Sequence, residues 1–510
     1  MAKNSFVGIL AQVLYLVTRF LLTPYVVAQA GFAAYGFWSV LFVVLGWFGV
    51  HRMGFTSSSI SFVAQYHARG ERGRIDACLG TCASMAALFA LAVGGTLIGF
   101  ATPIVKVLGT EPEMLAAAVL TFRLTVGATF FSLVFGGYQS AMEALQQYPK
   151  VKLVDASALL AEAACIVLFL QMRLGLPGLA LAYALRLLLP IPCHALFARA
   201  QMPGLRPFPT RWDREEARAL LGFGGTVQLM GVLHLAIASI DRLALAHLVG
   251  MASAGAYEVA RKLVGFAAAL PTHALGPLVP AAAELRGRGG DPKELRAMLR
   301  RATRSVGLLA AIPLAMFVAA AGPLVDAWIG AGHPQISRAI QLLAPAAYVH
   351  MTTGPATAIL RGIVQPKAEM AYVIVWLVLG AILMPLGALQ FGLLGVAAGS
   401  GIAQALSSSF LLVLACPRLG ISGKELLNDT LGPLLAAAAP ALCVAMLGAS
   451  LSLDRLEAAL FVVLSGSFVG LVALTLAYAA VFGEVERDFL RRQLGRLPGF
   501  RGTRVDGVAR

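Results

Sequence analysis

Apolar stretches of about 20 residues, separated by short polar interruptions, run from the first residues of the chain to about position 482. Each is long enough to cross a hydrocarbon core about 30 Å thick. None shows the alternation of a half-buried strand, and backbone groups in lipid must be paired within the segment, so the stretches predict helices. The predicted spans are 6–28, 35–55, 76–101, 115–140, 151–172, 177–199, 220–247, 255–280, 304–326, 338–363, 370–391, 392–416, 431–450 and 457–482. The expected fold class is an all-α integral membrane protein with about 14 transmembrane helices.

The pattern is written twice. Pro149-Lys150, an apolar run and Gly175-Leu176-Pro177-Gly178-Leu179-Ala180 recur as Pro366-Lys367, an apolar run and Gly392-Leu393-Leu394-Gly395-Val396-Ala397, at an offset of 217 residues. Tyr35, heading a span that ends in Ala68-Arg69-Gly70-Glu71, is matched by Tyr257, heading one that ends in Gly287-Arg288-Gly289. Pro103–Gly109 pairs loosely with Pro323–Gly330. A long-period duplication in an apolar chain points to a transporter of two similar bundles. Six spans in each copy give parallel repeats, related by an axis along the membrane normal. The domains predicted are a six-helix lobe at 1–200, a linker at 201–219, a second six-helix lobe at 220–418, an appended helix pair at 419–482 and a basic tail at 483–510. The linker carries Pro203, Pro207 and Pro209, with an interfacial helix expected from near Asp213. Pro190 and Pro192 in the sixth span, and Pro271, Pro277 and Pro280 in the eighth, predict bends.

Composition agrees with a membrane protein, at 59% apolar and 13% charged. A net charge of +15 suggests nucleic acid until its distribution is read. Most of the 40 Lys and Arg fall on the side of the N-terminus, and the opposite loops hold Lys106, Arg173, Arg338 and Arg455. That asymmetry is the positive-inside rule. It places both termini in the cytoplasm, with the basic tail against headgroups. Lys3 and Ala28-Gln29-Ala30 resemble a signal peptide, but the run is long and broken by Arg19 and Pro24, which predicts an uncleaved first helix. The six cysteines, at 78, 82, 165, 193, 416 and 443, lie in or beside spans and indicate no disulfide framework.

No phosphate loop, zinc helix or dinucleotide fingerprint occurs, so neither cofactor nor metal is expected. The span histidines His234, His247, His273 and His350 have no ligand spacing. Charged residues within spans say more, because a central arginine costs roughly 2.5–3.5 kcal/mol to insert and normally faces the bundle interior. Arg19, Arg123, Arg186 and Arg242 are such residues. Arg19 precedes Tyr35 by 16 residues and Arg242 precedes Tyr257 by 15, so the repeat places one arginine at similar depth on the first helix of each half. Arginine grips phosphate oxygens with a planar fork and stays charged, so the four are candidate substrate-binding residues of a basic cavity that takes an anion such as a pyrophosphate. The competing reading is that they neutralise Asp155, Glu162, Asp241 or Glu258, or snorkel outward. Asp155 and Glu162 are seven apart and share a helix face. Near Glu258, structural pairing with Arg261 and Lys262 is expected.

These residues sit in a recognisable context. The stretch Gly31-Phe32-Ala33-Ala34-Tyr35-Gly36-Phe37-Trp38, through Met53-Gly54-Phe55 to Ser61–Gly70, resembles the polysaccharide-transport branch of the multidrug/oligosaccharidyl-lipid/polysaccharide exporter superfamily, the Wzx-type flippases. The resemblance continues at Ala144–Tyr148, Asp241-Arg242, Tyr257–Leu263 and Leu278-Val279-Pro280 with Glu284, and covers about residues 6–420. It implies two six-helix lobes, alternating access and a polyprenyl-pyrophosphate-linked oligosaccharide as substrate, for envelope or exopolysaccharide synthesis. It also implies a lipid groove beside the extra helix pair, coupling to an ion gradient with Asp155, Glu162 and Asp241 as candidates, and a polymerase and glycosyltransferases as partners. The expected function is therefore a flippase, not an enzyme. A drug or cation exporter is the alternative within the superfamily, and it calls for an acidic cavity. A membrane glycan polymerase or ligase needs a large external loop that the span map does not offer. A non-transporting scaffold for glycosyltransferases is the fourth reading.

Overall fold

The computed structural model describes residues 2–205, 207–289, 291–363, 367–448, 451, 453–484 and 486–488, so the basic tail lies almost wholly outside the described residues. Helix dominates from end to end, and no strand occurs among the described residues. Ten helical stretches are long and apolar enough to cross a membrane. Two of them are far longer than one crossing needs: Leu10–Trp47 has 38 residues and Ala368–Arg418 has 51. At ~1.5 Å per residue the second would reach ~77 Å, more than twice a hydrocarbon core. Each bends at a glycine. Gly31 (φ 82, ψ 165) interrupts α1 (Ala2–Ala68), and Gly392 (φ 58, ψ −132) interrupts what becomes α16. Positive φ is open to glycine and costly for other residues, which explains the break at these two places.

By contact the chain divides into two units, Met1–Val259 with Leu377–Gly399 and Ala260–Trp376 with Ser400–Arg510. In the first unit α1 is followed by α2 (Arg72–Phe89), a π-turn at Ala90–Gly94, α3 (Gly95–Gly99) and α4 (Ala101–Val107). Then come α5 (Leu115–Val134), α6 (Gly137–Ala144), α7 (Tyr148–Gln171), α8 (Gly175–Leu188) and α9 (Pro190–Gln201). α1 packs on α7 and on α10 (Arg214–Leu248), while α8 packs on α5 and α7. The sixth predicted span divides at Pro190, whose missing N–H opens the joint between α8 and α9. The expected interfacial helix near Asp213 is instead the first turn of α10. Asp213 caps it by accepting from Glu215 N at 2.8 Å and Glu216 N at 3.1 Å, and the helix runs unbroken for 35 residues.

Two glycines set the approach of α1 to α11 (Met251–Ala274) within this unit. A Cβ at Gly36 would run into the Met251 carbonyl oxygen, and one at Gly255 into that of Phe32. The contact is reciprocal, and one glycine on each helix lets the backbones touch. Below it, Tyr66 at the end of α1 donates to both oxygens of the buried Glu216 carboxylate at 2.8 and 3.0 Å, and Arg74 Nε lies 3.6 Å from it. Burial and the adjacent carboxylate push the Tyr66 phenol up to about 12.

The second unit holds the rest of α11, α12 (Leu278–Gly287), α13 (Pro292–Ala319), α14 (Ala321–Trp328), α15 (Pro334–Gly362), the outer parts of α16 (Lys367–Arg418), α17 (Gly423–Gly448) and α18 (Arg455–Leu476). α13 is its centre and packs on both α15 and α17, with α18 alongside α14 and α17. A ladder of charge ties α13 to α17. Arg296 bonds Glu425, Arg300 reaches Asp429 through Nε at 2.7 Å and Nη2 at 3.3 Å, and Arg304 Nε lies 3.7 Å from Asp429 Oδ1. Three arginines at intervals of four share one face of α13, which is why the rungs align.

Candidate functional site

A charged cluster lies inside the first unit, on three helices. Glu162, in the middle of α7, has a side chain only 1% exposed. Arg19 of α1 donates from Nη2 to both of its oxygens, at 2.9 and 2.7 Å. Arg186 of α8 brings Nη1 to 3.4 Å from the same carboxylate. The turn between α7 and α8 makes this meeting inevitable: Leu174 N bonds back to Phe169 O at 3.0 Å, so the two helices run antiparallel side by side. Tyr15, one turn before Arg19, sits with its ring centroid 5.4 Å from each guanidinium carbon. Two cations thus share one carboxylate and one aromatic face, leaving a surplus positive charge. Neither arginine is sealed off, since Arg19 is 18% and Arg186 28% exposed.

Arg186 and Tyr15 line a cavity of about 420 Å³ within this unit. Its walls also include Gln139 of α6, Asp155 of α7, Tyr183 of α8 and His194 of α9. Phe42 meets Tyr183 edge-on at 5.1 Å, and Trp38 completes the aromatic trio. Asp155 is held by Lys152 Nζ at 3.6 Å. Tyr15, Tyr183, Gln139 and His194 do not follow from span charge alone. One signal was available: each of the two arginines has a tyrosine one helical turn before it, at i−4 for Arg19 and i−3 for Arg186.

The other predicted residues lie apart from this cluster. Arg123 on α5 is exposed and donates from Nε to Ile98 O at 3.4 Å. Arg242 on α10 is buried between two acids, with Nε 3.9 Å from Asp241 Oδ1 and Nη1 4.0 Å from Glu258 Oε2. Its own backbone N–H donates to Asp241 at 2.8 Å, and its Nη2 bonds Ala238 O. Asp241 and Glu258 are thus the acids beside Arg242, whereas Arg19 shares the single carboxylate of Glu162 with Arg186.

The second unit offers a cavity of opposite character. A groove of about 830 Å³ runs between α13, α15 and α17, walled by residues such as Leu314, Val318, Pro345, Leu434 and Leu442. Its polar groups are turned into backbone: Gln341 Nε2 donates to Val318 O at 3.2 Å and Tyr348 OH to Thr430 O at 2.6 Å. With those groups satisfied, the groove presents hydrocarbon to whatever enters it. Elsewhere in this unit His350 Nδ1 bonds the Tyr372 hydroxyl at 2.9 Å, beside Trp376 and Ser408.

Ten helical stretches long and apolar enough to cross a membrane define a polytopic membrane protein. The fold is that of the multidrug/oligosaccharidyl-lipid/polysaccharide exporters. The chain resembles the structure titled "Lipid II flippase MurJ, inward closed conformation" with a TM-score of 0.73 over 96% of this chain and 100% of that one, at 14% identity. It also resembles an inward-facing multidrug-resistance MATE transporter of that superfamily, with a TM-score of 0.65 over 79% of this chain and 94% of that one, at 12% identity. In sequence it is 24% identical over 436 residues to the uncharacterized membrane protein EpsK of Bacillus subtilis (strain 168), covering 82% of this chain and 83% of that protein. Residues 80–338 match the family model for polysaccharide biosynthesis proteins, and the chain belongs to that family.

Proposed function

We propose that the protein is a flippase that moves a polyprenyl-pyrophosphate-linked oligosaccharide across the bacterial cytoplasmic membrane by alternating access. The observation that carries this reading is the pair Arg19 and Arg186, held by one buried carboxylate at the edge of a cavity and left with a net positive charge. Guanidinium forks suit pyrophosphate oxygens, and Glu162 keeps both arginines oriented and affordable within the membrane while no substrate is present. The apolar groove of the second unit is a surface of the kind an isoprenoid chain packs on. In this reading α10 and α15, 35 and 29 residues long, also cross the membrane, giving fourteen crossings with both termini cytoplasmic and two repeated six-helix halves. Arg123 and Arg242 make no phosphate contact. A polysaccharide polymerase and glycosyltransferases are the partners that supply and consume such a substrate.

The test is a flipping assay in proteoliposomes with Arg19→Ala, Arg186→Ala and the corresponding Lys variants. Loss of transport in both Ala variants, with folding retained, supports the reading. Undiminished transport in both sinks it. Efflux of organic cations by the wild-type protein, with no movement of lipid-linked sugar, would replace it with the drug-exporter reading.

A further inference from the structure

The polar groups of the first unit's cavity lie on two levels. Glu162 and Arg186 mark one. Asp155 precedes Glu162 by seven residues on α7, and His194 follows Arg186 by eight along α8 and α9. Because the helices are antiparallel, both steps lead the same way, each by about 10–12 Å at a helical rise of ~1.5 Å. Asp155 and His194 line the same cavity, so the second level is a single place.

That level is built differently from the first. His194 is 3% exposed, yet its Nε2 has no hydrogen-bond partner although it lines the cavity. Native structures rarely leave a buried ring nitrogen unmatched, and a ligand group is one of the few things that can match it. Asp155, at 35% exposure, retains acceptor capacity beyond its 3.6 Å pair with Lys152. Ser132 and Gln139 face in from α5 and α6, and Phe42 and Tyr183 supply aromatic surface. A ring nitrogen, a carboxylate, a hydroxyl and an amide around aromatic faces are the chemistry that recognises a pyranose. Its hydroxyls donate and accept in neighbouring pairs, and its C–H face packs on rings.

We propose that the Asp155–His194 level is a sugar subsite that reads the residue attached directly to the pyrophosphate and so sets which glycan is moved. This rests on the flippase reading, in which the phosphates occupy the Arg19–Arg186 level. A cavity of about 420 Å³ belongs to the range that encloses a small ligand. It selects on the proximal sugar and leaves distal sugars unread.

The experiment uses the full-length protein in proteoliposomes with fluorescent polyprenyl-pyrophosphate lipids. These carry one hexose, one N-acetylhexosamine or one 6-deoxyhexose, and a further set varies only the second sugar. The readout is the ratio of flipping rates between lipids. Asp155→Asn and His194→Ala shift the ratio among the single-sugar lipids by about 10-fold or more, since a site built to hydrogen-bond a hydroxyl discriminates strongly. They leave the ratio within the second-sugar set unchanged. Arg186→Ala lowers all lipids together at constant ratio. His194→Gln is the companion variant should His194→Ala fail to fold. If Asp155→Asn and both His194 variants leave the single-sugar ratio as in wild type, the subsite is overturned, while a loss of transport in Arg186→Ala still upholds the flippase. A wild-type protein that moves none of the lipids overturns both.

Discussion

Neutralising Glu162 is the most searching perturbation of the charged cluster. Glu162→Gln keeps the shape of the side chain and removes the charge that two arginines share. Arg19 contacts the carboxylate through one nitrogen at 2.7 and 2.9 Å, so the charge centres are roughly 4 Å apart, an attraction of about 4 kcal/mol at an effective dielectric of 20. Arg186, at 3.4 Å and 28% exposed, adds less. Against this stands the mutual repulsion of the two arginines, which the carboxylate otherwise masks. Removing one partner of a buried pair costs about 3–5 kcal/mol because the remaining charge is stranded, and here there are two. Glu162→Gln is therefore expected to lose about 3–5 kcal/mol of stability. The double variant Arg19→Ala/Glu162→Gln should regain much of that loss, because only Arg186, the more exposed cation, is left.

Transport should move differently from stability. With Glu162 neutral, the arginines hold a pyrophosphate without competition, so binding tightens and release slows, whereas the double variant loses affinity altogether. Thermal unfolding in nanodiscs measures the first effect, and binding of a fluorescent polyprenyl pyrophosphate with flipping in proteoliposomes measures the second. If the double variant is less stable than either single variant by the sum of their losses, the two residues are not coupled and the reasoning fails.

Gly36→Ala and Gly255→Ala each drive a methyl group into a facing carbonyl oxygen, so each should lower stability by about 1–3 kcal/mol or prevent folding, as read by thermal unfolding. Tyr66→Phe removes a bond to the buried Glu216 carboxylate and should cost about 1.5–3 kcal/mol near neutral pH. Because the folded-state Tyr66 sits at about 12, above an unfolded phenol near 10, its contribution is fully present below pH 10 and is lost as pH rises through 12. The wild type should thus lose more stability than Tyr66→Phe between pH 10 and 12. Asp429→Asn unpairs Arg300 and should loosen α17 from α13, lowering the unfolding temperature without altering sugar preference. Ala438→Trp fills the groove of the second unit and should slow flipping of long isoprenoid chains far more than of short ones, measured in the same vesicles.

Much of the helical plan was legible because lipid leaves the backbone few choices. The apolar runs fall on helices, and the boundary expected between 391 and 392 falls on Gly392, which the repeat had marked by aligning it with Gly175. The division of the sixth span at Pro190 follows from the missing N–H. The gap expected between 28 and 35 shrinks to a bend at Gly31, since one glycine at positive φ redirects a helix without a loop. The linker was read as separate from the seventh span because Asp213-Arg214-Glu215-Glu216 is strongly polar. In the structure the Asp213 cap and the bond of Tyr66 to Glu216 bind that polar turn to the protein as the start of α10. At the site, helix periodicity placed Asp155 and Glu162 on one face, yet it could not say which helices that face would meet. That Arg19 and Arg186 converge on Glu162, and that His194 comes beside Asp155, depends on the packing of α1, α7, α8 and α9. Spacing within any single helix does not encode it.

The repeat itself is instructive where its two copies disagree. In register, Arg19 and Arg242 are counterparts, and sequence alone treats them as equals. Their neighbours differ, with Arg186 and Glu162 beside the one and Asp241 and Glu258 beside the other. The offset of 217 carries Asp155 to Tyr372, Glu162 to Leu379 and Arg186 to Ala403, so these three charges have neutral counterparts. Tyr372 is itself part of the His350, Trp376 and Ser408 cluster. A carrier that grips an anion with charges from both repeats must break strong contacts on two sides to let go. Confining the free positive charge to one repeat leaves the other to change position without paying that electrostatic cost. In the proposed flippase, the difference at these positions would leave phosphate binding to the first half.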